Sequence, residues 1–201
     1  MKIYLISNNS LLENINYENG TDLEQIRMIR PLSIEGITNS EKISQLKELE
    51  NIQKIYSSFY SSALSTAKYL SHKLDIEINM NNKFNDCKVG HLGSKNMKMV
   101  KGLQDHDFGY KLINGESLND VSNRMDAEIN KLLNLNEDIV IFTHNRAILG
   151  YLLKYASVGY NLDDNLILEY NGNQVYDDTD SEFDIYELEF ENNELISIKV
   201  F

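Results

Sequence analysis

Short, unbroken apolar runs set between amphipathic stretches constrain this chain more than any other feature. Residues 3–6 and 139–142 contain only hydrophobic side chains, the pattern of parallel strands covered on both faces. Between them, residues 33–49 read as a helix, with Ser33 as its cap and Ile34, Ile37, Ile43, Leu46 and Leu49 tending to one face. Residues 61–74 read as a second helix with Leu64, Ala67 and Leu70 inward, and residues 117–133 and 146–156 as two more. Short strands are expected at 54–56 and 76–78. From residue 166 the pattern turns strand-like, at 167–170, 174–176, 183–190 and 195–200, with hairpin turns at Asn171-Gly172 and Asn192-Asn193. The expected fold is a three-layer α/β/α sandwich with a mostly parallel mixed sheet and an antiparallel tail. Residues 82–114 lack a clear period and hold glycines at 90, 93, 102 and 109, which suits a lid or capping excursion from a single domain spanning 1–201.

The motifs come in a recognisable order. Ser7-Asn8-Asn9 closes the first strand and Asn14 follows. Pro31-Leu32-Ser33 with Gly36 opens a helix. Ile55-Tyr56-Ser57-Ser58 precedes Ser62-Ala63 and Thr66-Ala67, and Asp86 precedes Gly90 and Gly93. Gly115-Glu116-Ser117-Leu118 opens a later helix, and Thr143-His144-Asn145 ends the strand at 139–142. Together these resemble the histidine phosphatase superfamily, the phosphoglycerate mutase-like fold. The resemblance implies a cleft at the strand ends in which a first-strand histidine attacks a phosphoryl group. Two arginines and a second histidine hold the phosphate oxygens, and an acidic residue donates the proton.

Against that pattern, Ser7, Asn8 and Asn9 stand where the family reads arginine, histidine and glycine, and Ser62 stands for the second arginine. An amide nitrogen has its lone pair delocalised, so Asn8 cannot accept a phosphoryl group. Ser7 and Ser62 lack the charged, planar fork of a guanidinium. At about 1.5–3 kcal/mol per charged hydrogen bond, the two losses amount to roughly a hundredfold to ten-thousandfold in phosphate affinity. The resemblance makes His144 and Asp86 the residual catalytic pair and places Asn14 and Glu116 at ligand-binding positions. Arg146, near a helix amino terminus, could return a positive charge to the pocket, and Arg30 is a weaker candidate for that role.

A net charge of −12 and a pI near 4.7 argue against nucleic acid and anionic membrane surfaces as partners. They also disfavour phosphorylated ligands unless a local basic pocket exists. Cys87 is the sole cysteine, which excludes an internal disulfide and points to reducing cytoplasm. The amino-terminal apolar run is too short for a signal peptide or a membrane span. No cofactor is expected. The acidic run Asp177, Asp178, Asp180, Glu182, Asp184 lacks the glycine and glutamate spacing of a calcium loop. Asp105-His106-Asp107 with His91 lacks the tight ligand pairing of a metal knuckle. His72, late in a helix, reads as structural. The serines at 57, 58, 61 and 62 read as strand-to-helix capping residues rather than a new nucleophile.

Two functions fit. One is a degenerate histidine phosphatase-fold protein that binds a small molecule or protein in the former phosphate cleft, without phosphohistidine catalysis. The alternative is a divergent hydrolase or transferase using His144 and Asp86.

Overall fold

The computed structural model describes residues 1–8, 10–13, 22–178 and 185–201. A six-stranded sheet forms its centre, in the order β3 (Ile78–Met80), β2 (Lys54–Ser57), β4 (Ile139–Thr143), β1 (Lys2–Ser7), β8 (Ile185–Glu191) and β9 (Glu194–Val200). The first four strands pair parallel, while β8 pairs antiparallel with β1 and β9 antiparallel with β8, so the sheet is mixed and mostly parallel, as its apolar runs predict. Both faces are covered. Tyr4, Ile6, Val140 and Phe142 pack towards α2 (Ile34–Ser44) and α3 (Ser61–Leu74). Ile3, Leu5, Ile139 and Ile141 pack towards α5 (Leu118–Leu133) and α6 (Asn145–Leu152). A three-stranded antiparallel sheet of β5 (Ser157–Tyr160), β6 (Leu166–Tyr170) and β7 (Asn173–Asp177) adds Leu166, Leu168, Val175 and Tyr176 to that second core.

The parallel strands set the position of the cleft. Ser7 pairs in register with Thr143, and Ser57 with Phe142, so β1, β2 and β4 end together and release their chains at one edge, where open α/β sheets hold ligands. Gly36 shapes this edge. A Cβ there would lie 2.2 Å from the carbonyl oxygen of Ser10, and that oxygen accepts a hydrogen bond from the Ser33 amide at 2.9 Å. Only glycine allows the segment after β1 to lie this close to the first turn of α2. Ser33 also caps α2, its hydroxyl accepting from the Gly36 amide at 3.0 Å.

Several elements depart from expectation. The helix expected over 33–49 stops at Ser44, and a separate 3₁₀ turn occupies Lys47–Leu49. The strand expected at 76–78 begins two residues later. Asp75 ends α3 in the left-handed conformation, φ 54°, and Ile76 is still bonded back to Ser71 through both its amide and its carbonyl. The helix expected over 146–156 ends at Leu152, ahead of β5. Two helices appear where none was expected, α1 (Leu23–Ile29) and α4 (Met97–His106), the latter inside the 82–114 stretch. Both hairpin turns take the left-handed pairs their residues favour: Asn171 and Gly172 at φ 50° and 76°, Asn192 and Asn193 at 51° and 65°.

Candidate functional site

A cleft of about 370 Å³ opens at the carboxyl ends of β1, β2 and β4, lined by Asn8, Ser10, Leu11, Arg27, Arg30, Tyr60, Ser62, Asp86, His144, Asn145 and Arg146. The parallel strands bring its floor together, and the first turns of α3 and α6 form two of its walls. Helix amino termini favour anions.

His144 is 4% exposed, and both ring nitrogens are engaged. Nδ1 lies 2.7 Å from Oδ1 of Asn8, and Nε2 lies 2.8 Å from Oγ of Ser58. An amide oxygen only accepts, so Nδ1 carries the proton, and Nε2 accepts from the Ser58 hydroxyl. That hydroxyl also accepts from the Tyr60 amide at 3.2 Å. Burial pushes the His144 pKa down from 6.5 to about 4, with Asp86 opposing the shift and Arg27 adding to it. The ring is neutral at pH 7, with one tautomer selected. A hydroxyl, an imidazole and an amide in line have the outline of a nucleophile relay. Ser58, however, is completely buried and does not line the cleft, so it serves to orient His144.

Asp86 faces the same cleft as an ion. One carboxylate oxygen pairs with Arg27 and the other accepts from the Cys87 amide at 2.8 Å. Burial alone would raise its pKa. The Arg27 guanidinium, helped by the charges and dipoles around it, more than offsets this and holds the carboxyl below its ordinary range. Arg27 is further held by Glu24 at 3.0 and 3.1 Å and by the Cys87 carbonyl at 3.1 Å. Glu24 also accepts from the Tyr60 hydroxyl. Arg146 pairs with Asp105 and reaches Oε1 of Gln104 at 3.1 Å, both from α4. Arg30 donates from Nε to the Leu12 carbonyl at 2.9 Å.

Of the residues singled out from the sequence, Asn8, Ser62, Asp86, His144 and Arg146 meet at this cleft, with Arg30 beside them. Ser7 does not reach it, being fully buried with its hydroxyl unpartnered among the described residues. Glu116 lies in an adjoining groove that shares Tyr60 and Asp86 with the cleft, where it pairs with Arg124 at 2.8 Å. Asn9 and Asn14 fall outside the described residues, as do Asp180, Glu182 and Asp184. Asp105 is committed to Arg146, and His106 stacks on Tyr160 near Asp164. Among the described residues no three His, Cys, Asp or Glu side chains group as a metal site, and no helix is long and apolar enough to cross a membrane. Cys87 is buried, and burial together with Asp86 pushes its thiol up to about 12, far from a reactive thiolate.

No sequence motif points to Arg27, since a glutamate three positions before an arginine on a short helix is the ordinary pattern of a solvated pair, whereas here both side chains are largely covered. A different signal could have found it. The chain has four arginines and fifteen lysines. Three of the arginines line this cleft, whereas among the described residues no lysine does.

The family model for the histidine phosphatase superfamily (branch 1) matches residues 18–185. Among solved structures, a mycobacterial glucosyl-3-phosphoglycerate phosphatase in complex with inorganic phosphate is 14% identical, with a TM-score of 0.68, over 100% of this chain and 95% of that one. YhfR from Bacillus stearothermophilus is 16% identical, with a TM-score of 0.66, over 97% and 94%. A mutant phosphoserine phosphatase from Entamoeba histolytica, in complex with phosphoserine, is 18% identical with a TM-score of 0.62, over 98% and 94%. At these identities the likeness is one of fold. No curated protein matches the chain.

Proposed function

The chain belongs to the histidine phosphatase superfamily, and we propose that it is a degenerate member that binds a compact anion, a phosphorylated small molecule by preference, without forming a phosphohistidine. The observation that carries this reading is the sorting of cations. In a chain of net charge −12, Arg27, Arg30 and Arg146 are gathered at one cleft and the lysines are elsewhere. Guanidinium is the cation whose planar fork suits phosphate and carboxylate oxygens. These arginines come from α1, the segment after it and α6, and they bring guanidinium donors to a cleft that Ser7 and Ser62 leave without them, Arg27 and Arg146 being already paired with carboxylates. The solved relatives bound to inorganic phosphate and to phosphoserine support an anion of that size.

The chemistry of the remaining pair argues against turnover. Asn8 offers an amide at the family's nucleophile position, and its oxygen already holds Nδ1 of His144. Asp86 is held as an ion by Arg27 in the empty cleft, and an acid at that position has no phosphoryl transfer to assist while Asn8 cannot accept the group. A protein with these properties acts by binding or regulation. Calorimetric titration of wild type and Arg27→Met with inorganic phosphate tests the reading. Saturable binding by wild type, weakened roughly tenfold or more by the substitution at about 1.5–3 kcal/mol per charged hydrogen bond, is expected. Absence of binding by wild type, or equal affinity in both proteins, contradicts it.

A further inference from the structure

Arg27 and Asp86 both line the cleft and are bonded to each other across its wall. A ligand anion that engages Arg27 therefore arrives where a carboxylate already sits. We propose that Asp86 is an internal counter-ion that the incoming anion must displace from Arg27, and that the cleft takes up one proton on Asp86 as it takes up its ligand. The inference rests on the anion-binding reading above and adds to it a competitor and a proton.

The surroundings of Asp86 leave few alternatives once Arg27 is shared. From α1 it faces Arg27 and the carboxylate of Glu24, which is itself bonded to Arg27. From the start of α3 it faces Tyr60, whose hydroxyl is spent on Glu24. His144 at the end of β4 is neutral at pH 7 and tied at both nitrogens, and Arg146 on α6 is paired with Asp105. From α5, Arg124 binds the backbone oxygen of Asp86 at 3.1 Å and gives its charge to Glu116. Next in the chain, Cys87 keeps its thiol protonated and offers its amide, which is the one other donor to the Asp86 carboxylate among the described residues. An incoming anion at Arg27 would thus be the third negative charge beside one guanidinium, after Glu24 and Asp86, in a site where burial already disfavours the charged carboxyl. Protonation from solvent relieves this, the ordinary response of a carboxylate forced against a like charge. The sign follows. The group has a low pKa in the empty cleft and a raised one in the filled cleft, so anion affinity is greatest in mild acid. It falls as pH rises through the raised value and then levels.

Sulfate is the probe, because it stays a dianion throughout this range and any proton bound must go to the protein. Wild type and Asp86→Asn are titrated calorimetrically between pH 5 and 8, in buffers of different ionisation enthalpy. For wild type the proposal requires net proton uptake on binding, approaching one per sulfate towards pH 5, and an affinity that falls about tenfold by pH 8. Asp86→Asn should bind sulfate about tenfold more tightly at pH 7.5, with the uptake lost. Sulfate binding that is pH-independent and proton-neutral overturns the proposal and leaves the anion-binding reading standing, a result that wild type alone can give. Uptake that persists in Asp86→Asn places the proton on Glu24 or His144 and also overturns it. If neither protein binds sulfate, the anion-binding reading fails and this inference fails with it.

Discussion

Acidification should strike this protein first at His144. The ring is neutral, almost completely buried and fixed at both nitrogens by Asn8 and Ser58, and its pKa falls from 6.5 to about 4 in the folded state. The unfolded chain therefore binds a proton at this residue before the folded one does. Its contribution to stability is complete above pH 6.5 and is lost as pH falls from there towards 4. At about 1.4 kcal/mol per pH unit, the loss across that interval is about 3 kcal/mol, a large share of the stability of an ordinary domain. Urea unfolding of wild type and His144→Gln at a series of pH values from 7.5 to 4 isolates the effect, since every other titration is common to both. Wild type should be the more stable protein at pH 7.5, and its advantage should shrink by about 3 kcal/mol on acidification. Proton resonances of the ring give the same pKa directly. Parallel stability curves for the two proteins, or a ring that titrates near 6.5, would refute the argument that burial and the two hydrogen bonds keep His144 neutral.

Two further outcomes bear on the cleft's frame. Ser7 is fully buried and its hydroxyl has no partner among the described residues, so Ser7→Ala should leave stability unchanged or raise it by about 1 kcal/mol. A loss of that size in urea unfolding would mean that the hydroxyl is bonded. Gly36→Ala places a methyl 2.2 Å from the Ser10 carbonyl oxygen, and should cost about 1–3 kcal/mol as the backbone shifts. It should also weaken phosphate binding, because Ser10 and Leu11 are cleft wall, and unaltered stability and affinity would contradict the close approach.

How much of this was legible in the sequence depended on what each element buries. The helix α3 was readable end to end because Ala67 and Leu70 lie on its buried face as expected, although Ala63 rather than Leu64 completes that face. The strands β1 and β4 were readable because nearly every residue in them is buried. The helix α4 was not, since its buried residues are Val100, Gln104 and Asp105. Two polar side chains face inward there because Arg146 and backbone carbonyls satisfy them. The helix α1 buries none of its residues, and β5 is a mostly exposed strand containing a glycine, so neither gives a periodic signal. At the cleft, positions tied to strand ends, such as Asn8 and His144, could be placed by motif. Arg27 could not, because its approach from α1 depends on tertiary packing. The same holds for Glu116, whose motif position did not disclose that Arg124 occupies it in the adjoining groove.

The central claim is that this cleft holds its anion and does not pass a phosphoryl group to a histidine. Phosphate release from a panel of phosphomonoesters tests it most directly, measured on purified wild type with His144→Ala beside it to expose contaminating phosphatase. The account predicts no release above the His144→Ala background, from a protein that binds inorganic phosphate in calorimetry. Sustained release by wild type that disappears with His144→Ala would contradict it, and would make the protein an enzyme by a route that does not pass through Asn8.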